Sequence, residues 1–130
     1  MIEEIKIKVD AAPPSANRIW RTVKNRVVLS SAASSFYALV AASVFCKSVR
    51  QVPDAWTYYD VEIAIAPIRR SGDVDNRIKP VLDALTRCRF WDDDKRVASV
   101  RCRFLTPTPR GATYIIVRES DDKFGGDAPW

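Results

Sequence analysis

The hydrophobic period of this chain switches twice between Trp56 and Phe104, and that switch constrains its fold more than any other feature. From Trp56 to Ala66, Tyr59, Val61, Ile63 and Ile65 fall on one face and Tyr58, Asp60 and Glu62 on the other, the two-residue period of a half-buried strand. From Asp75 to about Cys88 the period becomes helical, with Ile78, Val81, Leu82 and Leu85 as the buried stripe. Alternation returns from Val97 to Phe104, where Ala98, Val100, Cys102 and Phe104 oppose Ser99, Arg101 and Arg103. Pro80 lies within the first turn or two of the predicted helix, where the amide it lacks has few partners to lose.

Upstream, Ile5, Ile7 and Val9 alternate against Lys6 and Lys8 as a first strand, and Pro13-Pro14 breaks the pattern. Arg21, Lys24 and Arg26 surround a short apolar piece, Val27-Val28-Leu29, that reads as a further short strand; this basic loop suits phosphates or plain solvent equally. Ser30 or Ser31 is a suitable N-cap for a long helix from Ala32 to about Arg50, with Phe36, Leu39, Val40 and Val44 in period. After Phe104, the stretch Thr106-Pro107-Thr108-Pro109-Arg110-Gly111 looks like a hairpin connection to a last strand, Tyr114 to Arg118. Residues 120–130 have no period and are expected to be disordered. The expected fold is therefore a single small α/β (α+β) domain over 1–119, in the order β(β)αβαββ, with a mixed sheet packed by two helices.

The chain has 130 residues, a net charge of +5 and no histidine. That size supports a core without metal or disulfide staples, and the positive field favours anionic partners, nucleic acid first. The lack of histidine removes the usual general base, histidine-bound zinc and every Ser-His or Cys-His device. Three cysteines at 46, 88 and 102 without Cys-x-x-Cys spacing read as reduced thiols filling the core. No apolar run approaches a membrane span and no signal segment is visible, which places the protein in the cytoplasm.

Chemistry must then come from carboxylates, lysine, hydroxyls, cysteine or a bound metal. Asp73 and Asp75 lie at the mouth of the second helix, whose next turn carries Lys79, and Asp92-Asp93-Asp94 follows its end. A cation held by Asp73, Asp75 and a third acid could activate water while Lys79 stabilises charge on a phosphate. Magnesium fits a donor set made only of oxygen. A purely structural reading is also open: Asp73 capping the helix, Asp75 and Lys79 forming an exposed ion pair, and the three later acids making a solvated turn.

The run Asp73-Val74-Asp75-Asn76-Arg77-Ile78-Lys79, then Leu82-Asp83-Ala84-Leu85-Thr86, then Phe90-Trp91-Asp92-Asp93-Asp94 and Val97 resembles the RusA family of Holliday junction resolvases. Pro13-Pro14-Ser15-Ala16-Asn17-Arg18 and the segment from Ser31 to Tyr37 are similar to that family's N-terminal half, so the likeness covers all but about the last dozen residues. The resemblance implies a homodimeric endonuclease, dependent on Mg2+ or Mn2+, that cuts branched DNA at four-way junctions by paired symmetric nicks in recombination and repair. It implies Asp73, Asp75 and Asp94 as the essential acids, Lys79 as the essential lysine and Asp93 as a further metal ligand. Asp83, four residues after Lys79, is expected to orient it. Arg89 stands where the family usually has glycine, and Asp92 adds a third acid; counting back from Val97 favours Asp93 and Asp94 as the aligned pair.

Arg69, Arg70, Arg101 and Arg103 are the expected phosphate contacts. A helix from Asp75 to Cys88 runs roughly 20 Å at about 1.5 Å per residue. The six residues to Asp94 reach back at most about 20 Å. This near-full extension suggests that Asp94 comes from the partner subunit of a dimer. Two other readings compete: a non-catalytic basic protein that binds DNA junctions, and, more distantly, a phosphatase or sugar transferase using Asp-x-Asp.

Overall fold

The computed structural model describes residues 3–121 and 127–130. Its strands and helices run in the order β1 (Glu4–Val9), β2 (Trp20–Val23), β3 (Arg26–Leu29), α1 (Ser31–Phe45), β4 (Tyr59–Ala66), α2 (Ile78–Arg87), β5 (Val97–Phe104) and β6 (Ala112–Glu119). Two short 3-10 turns, Val74–Arg77 and Asp94–Arg96, flank α2 and carry the acidic motif; a third, Ala16–Arg18, precedes β2. The expected α+β class holds, and so does the element order apart from one additional strand, β2, before α1.

The main sheet has the order β1-β6-β4-β5, with β4 and β5 parallel and the other neighbours antiparallel. Ile5, Ile7 and Val9 of β1, Tyr59, Val61, Ile63 and Ile65 of β4, and Ile115 and Val117 of β6 are buried on one face. The stripes of α1 (Ala33, Phe36, Tyr37, Val40, Val44) and α2 (Val81, Ala84, Leu85) join the same core. Lys6, Lys8, Tyr114, Arg101 and Arg103 fall on the alternate, open side, where Arg118 bonds Glu4 (2.9 Å) and approaches Glu62 (3.4 Å).

Four sequence expectations need correction. β5 and β6 are not a hairpin: β5 pairs with β4, and β6 crosses back to lie between β1 and β4. Pro107 and Pro109 disfavour a tight turn, and the connection is instead tied to the end of β4 by Leu105 N–H to the Ile65 carbonyl (2.7 Å) and Thr108 N–H to the Pro67 carbonyl (2.9 Å). The more apolar strand takes the centre, and the strand with arginines on its outer side takes the edge. The first helix stops at Phe45 rather than Arg50, and Leu39 is exposed on it. Cys46 is also exposed rather than core-filling, while Cys88 and Cys102 are partly buried against the core.

Ser30 caps α1 as expected, accepting from Ala33 N–H at 3.1 Å. The short strand around Val27 proved to be half of a β2–β3 hairpin, closed by Lys24 and Asn25 with φ of 49° and 63°. Positive φ at both turn residues is the type I′ pattern, which suits the strand twist and which asparagine tolerates well. In the C-terminal tail, the Ser120 amide still bonds the Tyr58 carbonyl at 2.9 Å; part of the segment expected to be disordered, 122–126, lies outside the described residues. Among the described residues no helix is long and apolar enough to cross a membrane.

Candidate active site

The acidic motif begins where β4 ends. Gly72 takes φ +72°, a left-handed turn that glycine adopts freely, and Asp73 then opens the 3-10 turn that leads into α2. Arg77 holds this loop in place: its guanidinium donates to the Ser71 carbonyl at 3.2 Å and to the Pro13 carbonyl at 3.0 Å. Sequence reasoning gave Arg77 no role; its place inside the motif was the only signal. The loop also packs on the edge strand, where the Cys102 thiol contacts the Val74 carbonyl at 4.0 Å.

Asp73 and Asp75 are exposed, and among the described residues neither has a hydrogen-bond or ion-pair partner. Asp73 makes no side-chain cap, so the capping explanation for it fails. The Asp75–Lys79 ion pair of the purely structural reading is not formed either. Lys79 turns instead to Asp83, with Nζ 3.4 Å from Oδ1, a contact that the four-residue spacing anticipates.

The chain reverses at the far end of α2 through backbone geometry. Phe90 N–H bonds the Leu85 carbonyl (3.0 Å) and Arg89 N–H the Thr86 carbonyl (3.1 Å), a Schellman ending with Arg89 at φ +61°. Glycine adopts that conformation without steric cost, which explains why arginine looks out of place there. Phe90 and Trp91 are then buried, with Trp91 stacked on Tyr59 at 5.5 Å and its Nε1 donating to Thr86 Oγ1 at 2.8 Å. Asp92 to Asp94 follow this anchored turn.

Asp93 caps the next 3-10 turn by accepting from Lys95 N–H at 2.9 Å, and that bond holds its carboxyl below the usual carboxylate range. Asp94 is pushed the other way: partial burial raises it most, then its hydrogen bond with Asp93 and the charges of Asp93 and Asp83, with Lys79 opposing. Asp94 therefore sits in the field of Lys79 and Asp83 of its own chain. Near-full extension is not needed to bring it there, because α2 itself is only ten residues, about 15 Å long.

The charges that shift Asp94 are those of Asp93, Asp83 and Lys79. Among the described residues, no three acidic or cysteine side chains stand close enough to hold a metal ion. The donor chemistry still fits a hard divalent cation. Asp73 and Asp75 offer unpartnered carboxylate oxygens, and Asp94 lies in crowded negative charge that a cation would relieve. Burial pushes the Cys102 thiol up to about 11 and raises Cys88 as well, so neither competes as a thiolate.

Of the expected DNA contacts, Arg69 and Arg70 are exposed in the loop before Asp73, with the Arg70 guanidinium 5.4 Å above the Phe104 ring. Arg101 and Arg103 line an open groove of about 520 Å3 with Glu62 and Tyr114. Strand alternation puts them on the face opposite Cys102, hence away from the acidic loop.

Residues 10–118 match the sequence model of the family described as Endodeoxyribonuclease RusA. The chain belongs to the RusA family. It is 31% identical over 110 residues to the crossover junction endodeoxyribonuclease RusA of Escherichia coli strain K12, covering 82% of this chain and 88% of that protein. The rusA enzyme of Enterobacteria phage 82 matches at the same identity and coverage, and that of Shigella sonnei at 30% over 110 residues.

Proposed function

We propose that this RusA-family chain is a structure-specific endodeoxyribonuclease that resolves Holliday junctions by paired symmetric nicks, in recombination and repair. The observation that carries the reading is the pair of unpartnered carboxylates, Asp73 and Asp75, at the mouth of the helix that carries Lys79, with Asp94 in that lysine's field. Asp73, Asp75 and Asp94, with Asp93 beside them, would hold Mg2+ or Mn2+. Such an ion, when bound, supplies Lewis acidity and an activated water.

The chain's own groups do the rest. Lys79, steadied by Asp83, holds positive charge where a phosphodiester gains negative charge. Arg69 and Arg70 bind phosphates next to the acids, and Arg101 and Arg103 serve a DNA segment on the other side of β5. Symmetric nicking requires two sites related by a twofold axis, which a homodimer supplies. The reading taken is that each site draws its acids from one chain, a reading supported by the field of its own Lys79 at Asp94. Mixing Asp75→Asn with Asp94→Asn protein should then restore no cutting; recovered activity would assign Asp94 to the partner.

A mobile four-way junction incubated with protein and either Mg2+ or EDTA tests the reading as a whole. Symmetric nicks only with Mg2+ are expected. Tight, structure-selective binding without cutting would favour a non-catalytic junction-binding protein instead.

A further inference from the structure

We infer that the β2–β3 hairpin is a second DNA-binding element, a cationic finger that grips the duplex arm entering the acidic site and presents Trp20 to a base at the branch point. This rests on the DNA-junction reading above and deepens it.

Charge is the first support. No acidic residue occurs between Asp10 and Asp54, while Arg18, Arg21, Lys24 and Arg26 all fall in or beside the hairpin. None of the four has an ion-pair partner among the described residues. The positive field of this ribbon is therefore uncompensated.

Its exposure is the second. All eight residues from Trp20 to Val27 are exposed, including Trp20 at 53% and Val27 at 68%. Large apolar side chains left in water on a projecting two-stranded ribbon contribute nothing to this chain's core. The register sorts the two faces: Arg21 and Arg26 share one with Val23, Lys24 stands at the tip, and Trp20 and Val27 lie on the other. A two-stranded ribbon has the width that a DNA groove admits, and an aromatic ring stacks on any base without needing its sequence.

Position is the third. Ile19 at the hairpin's root is fully buried, and Ser30 ties the two strands' ends together through the Ile19 carbonyl (2.8 Å) and the Arg18 carbonyl (2.6 Å). The 3-10 turn at that root packs against the acid-bearing turn Val74–Arg77, and Arg77 bonds the Pro13 carbonyl at 3.0 Å. DNA held by the hairpin is thus held beside Asp73 and Asp75, with phosphates on the cations and the branch within reach of Trp20.

The test is fluorescence anisotropy of a labelled four-way junction and a linear duplex at several salt concentrations in EDTA, so that cutting does not intervene. Unchanged melting temperatures check that the variants fold. Replacing Arg21, Lys24 and Arg26 together by Ala should reduce the salt slope by about 2 to 3 for both DNAs. Trp20→Ala should weaken junction binding about tenfold, leaving the salt slope and duplex binding nearly unchanged. If the hairpin variants bind like the wild type, or change only the oligomeric state, the finger is wrong while the resolvase reading stands. If the wild type itself does not prefer the junction, the parent reading fails first. Should a variant melt early, Lys24→Glu at the solvent-exposed tip must still weaken binding for the finger to stand.

Discussion

Lys79 and Asp83 face each other across one turn of α2, Nζ 3.4 Å from Oδ1, with the cation nearer the helix N-terminus. That order works against the helix dipole and is the weaker arrangement of an i,i+4 pair. With Lys79 largely exposed, the pair adds well under about 1 kcal/mol to stability. Its role is then positional, and Asp83→Asn should leave melting nearly unchanged while lowering junction cleavage about 10- to 100-fold. Asp83→Glu should recover part of the loss, because it keeps the charge facing the lysine. Equal cleavage in all three proteins would remove Asp83 from the site.

Asp94 couples the site to pH. Its folded-state carboxyl is raised above the ordinary value, first by burial and then by Asp93 and Asp83, so its neutral form is the one the fold favours. That contribution to stability is complete below the unfolded-state carboxylate value and is lost as pH rises through the higher folded value. Asp94→Asn should therefore melt higher than wild type at neutral pH, with the gap closing in acid, and should bind junctions without cutting them. Melting curves across pH check the first part. A variant less stable at neutral pH would show that Asp94 holds structure by some other contact.

The acid limb of the cleavage profile should carry the same signature. Among the described residues Lys79 is the group that lowers Asp94, so Lys79→Met should move Asp94 further up, whereas Asp83→Asn should move it down. Titration of the Asp94 carboxyl by NMR in the two variants reads both shifts, whatever happens to the rate. Shifts of the same sign would contradict the placement.

Arg89 holds a left-handed conformation that costs a non-glycine residue roughly 1 kcal/mol. Arg89→Gly should stabilise the fold by about 0.5 to 1 kcal/mol, seen as a higher urea midpoint with an unchanged slope. Cleavage should persist.

The strands whose two faces differ sharply were legible. β1 and β4 alternate cleanly, and their buried sets are those the sequence pattern marked. The Ser30 cap was equally plain, and the stripe of α2 was legible in part: Val81 and Leu85 are buried as the period predicts, whereas Ile78 and Leu82 are only half-buried and the buried Ala84 went unmarked because so small a side chain carries little hydrophobic signal. The pairing of β5 was not, because alternation states which face is buried and says nothing about which neighbour is bonded. β2 was missed because it buries nothing: all four of its residues are exposed, and its turn is Lys24-Asn25 rather than a glycine pair. In the site, the residue types were legible from the motif. The position of Asp94 was not, since it depends on a helix ending, Arg89 at positive φ and Trp91 bonded to Thr86, that spacing alone does not reveal.

That last bond makes a sharper prediction. Thr86 Oγ1 accepts from Trp91 Nε1 at 2.8 Å and donates to the Leu82 carbonyl at 3.1 Å, so one hydroxyl joins α2 to the turn before Asp94. Thr86→Val keeps the shape but leaves the N–H of a buried tryptophan without its acceptor, a cost of about 1 to 3 kcal/mol. Thr86→Ser keeps the acceptor and should cost less than about 1 kcal/mol, mainly the lost methyl packing. Cleavage should follow the bond rather than the methyl: near wild type for serine, and lower for valine even at temperatures where both proteins remain folded. If valine melts and cuts like serine, the bond does not anchor the acidic turn, and the stacking of Trp91 on Tyr59 alone must hold it.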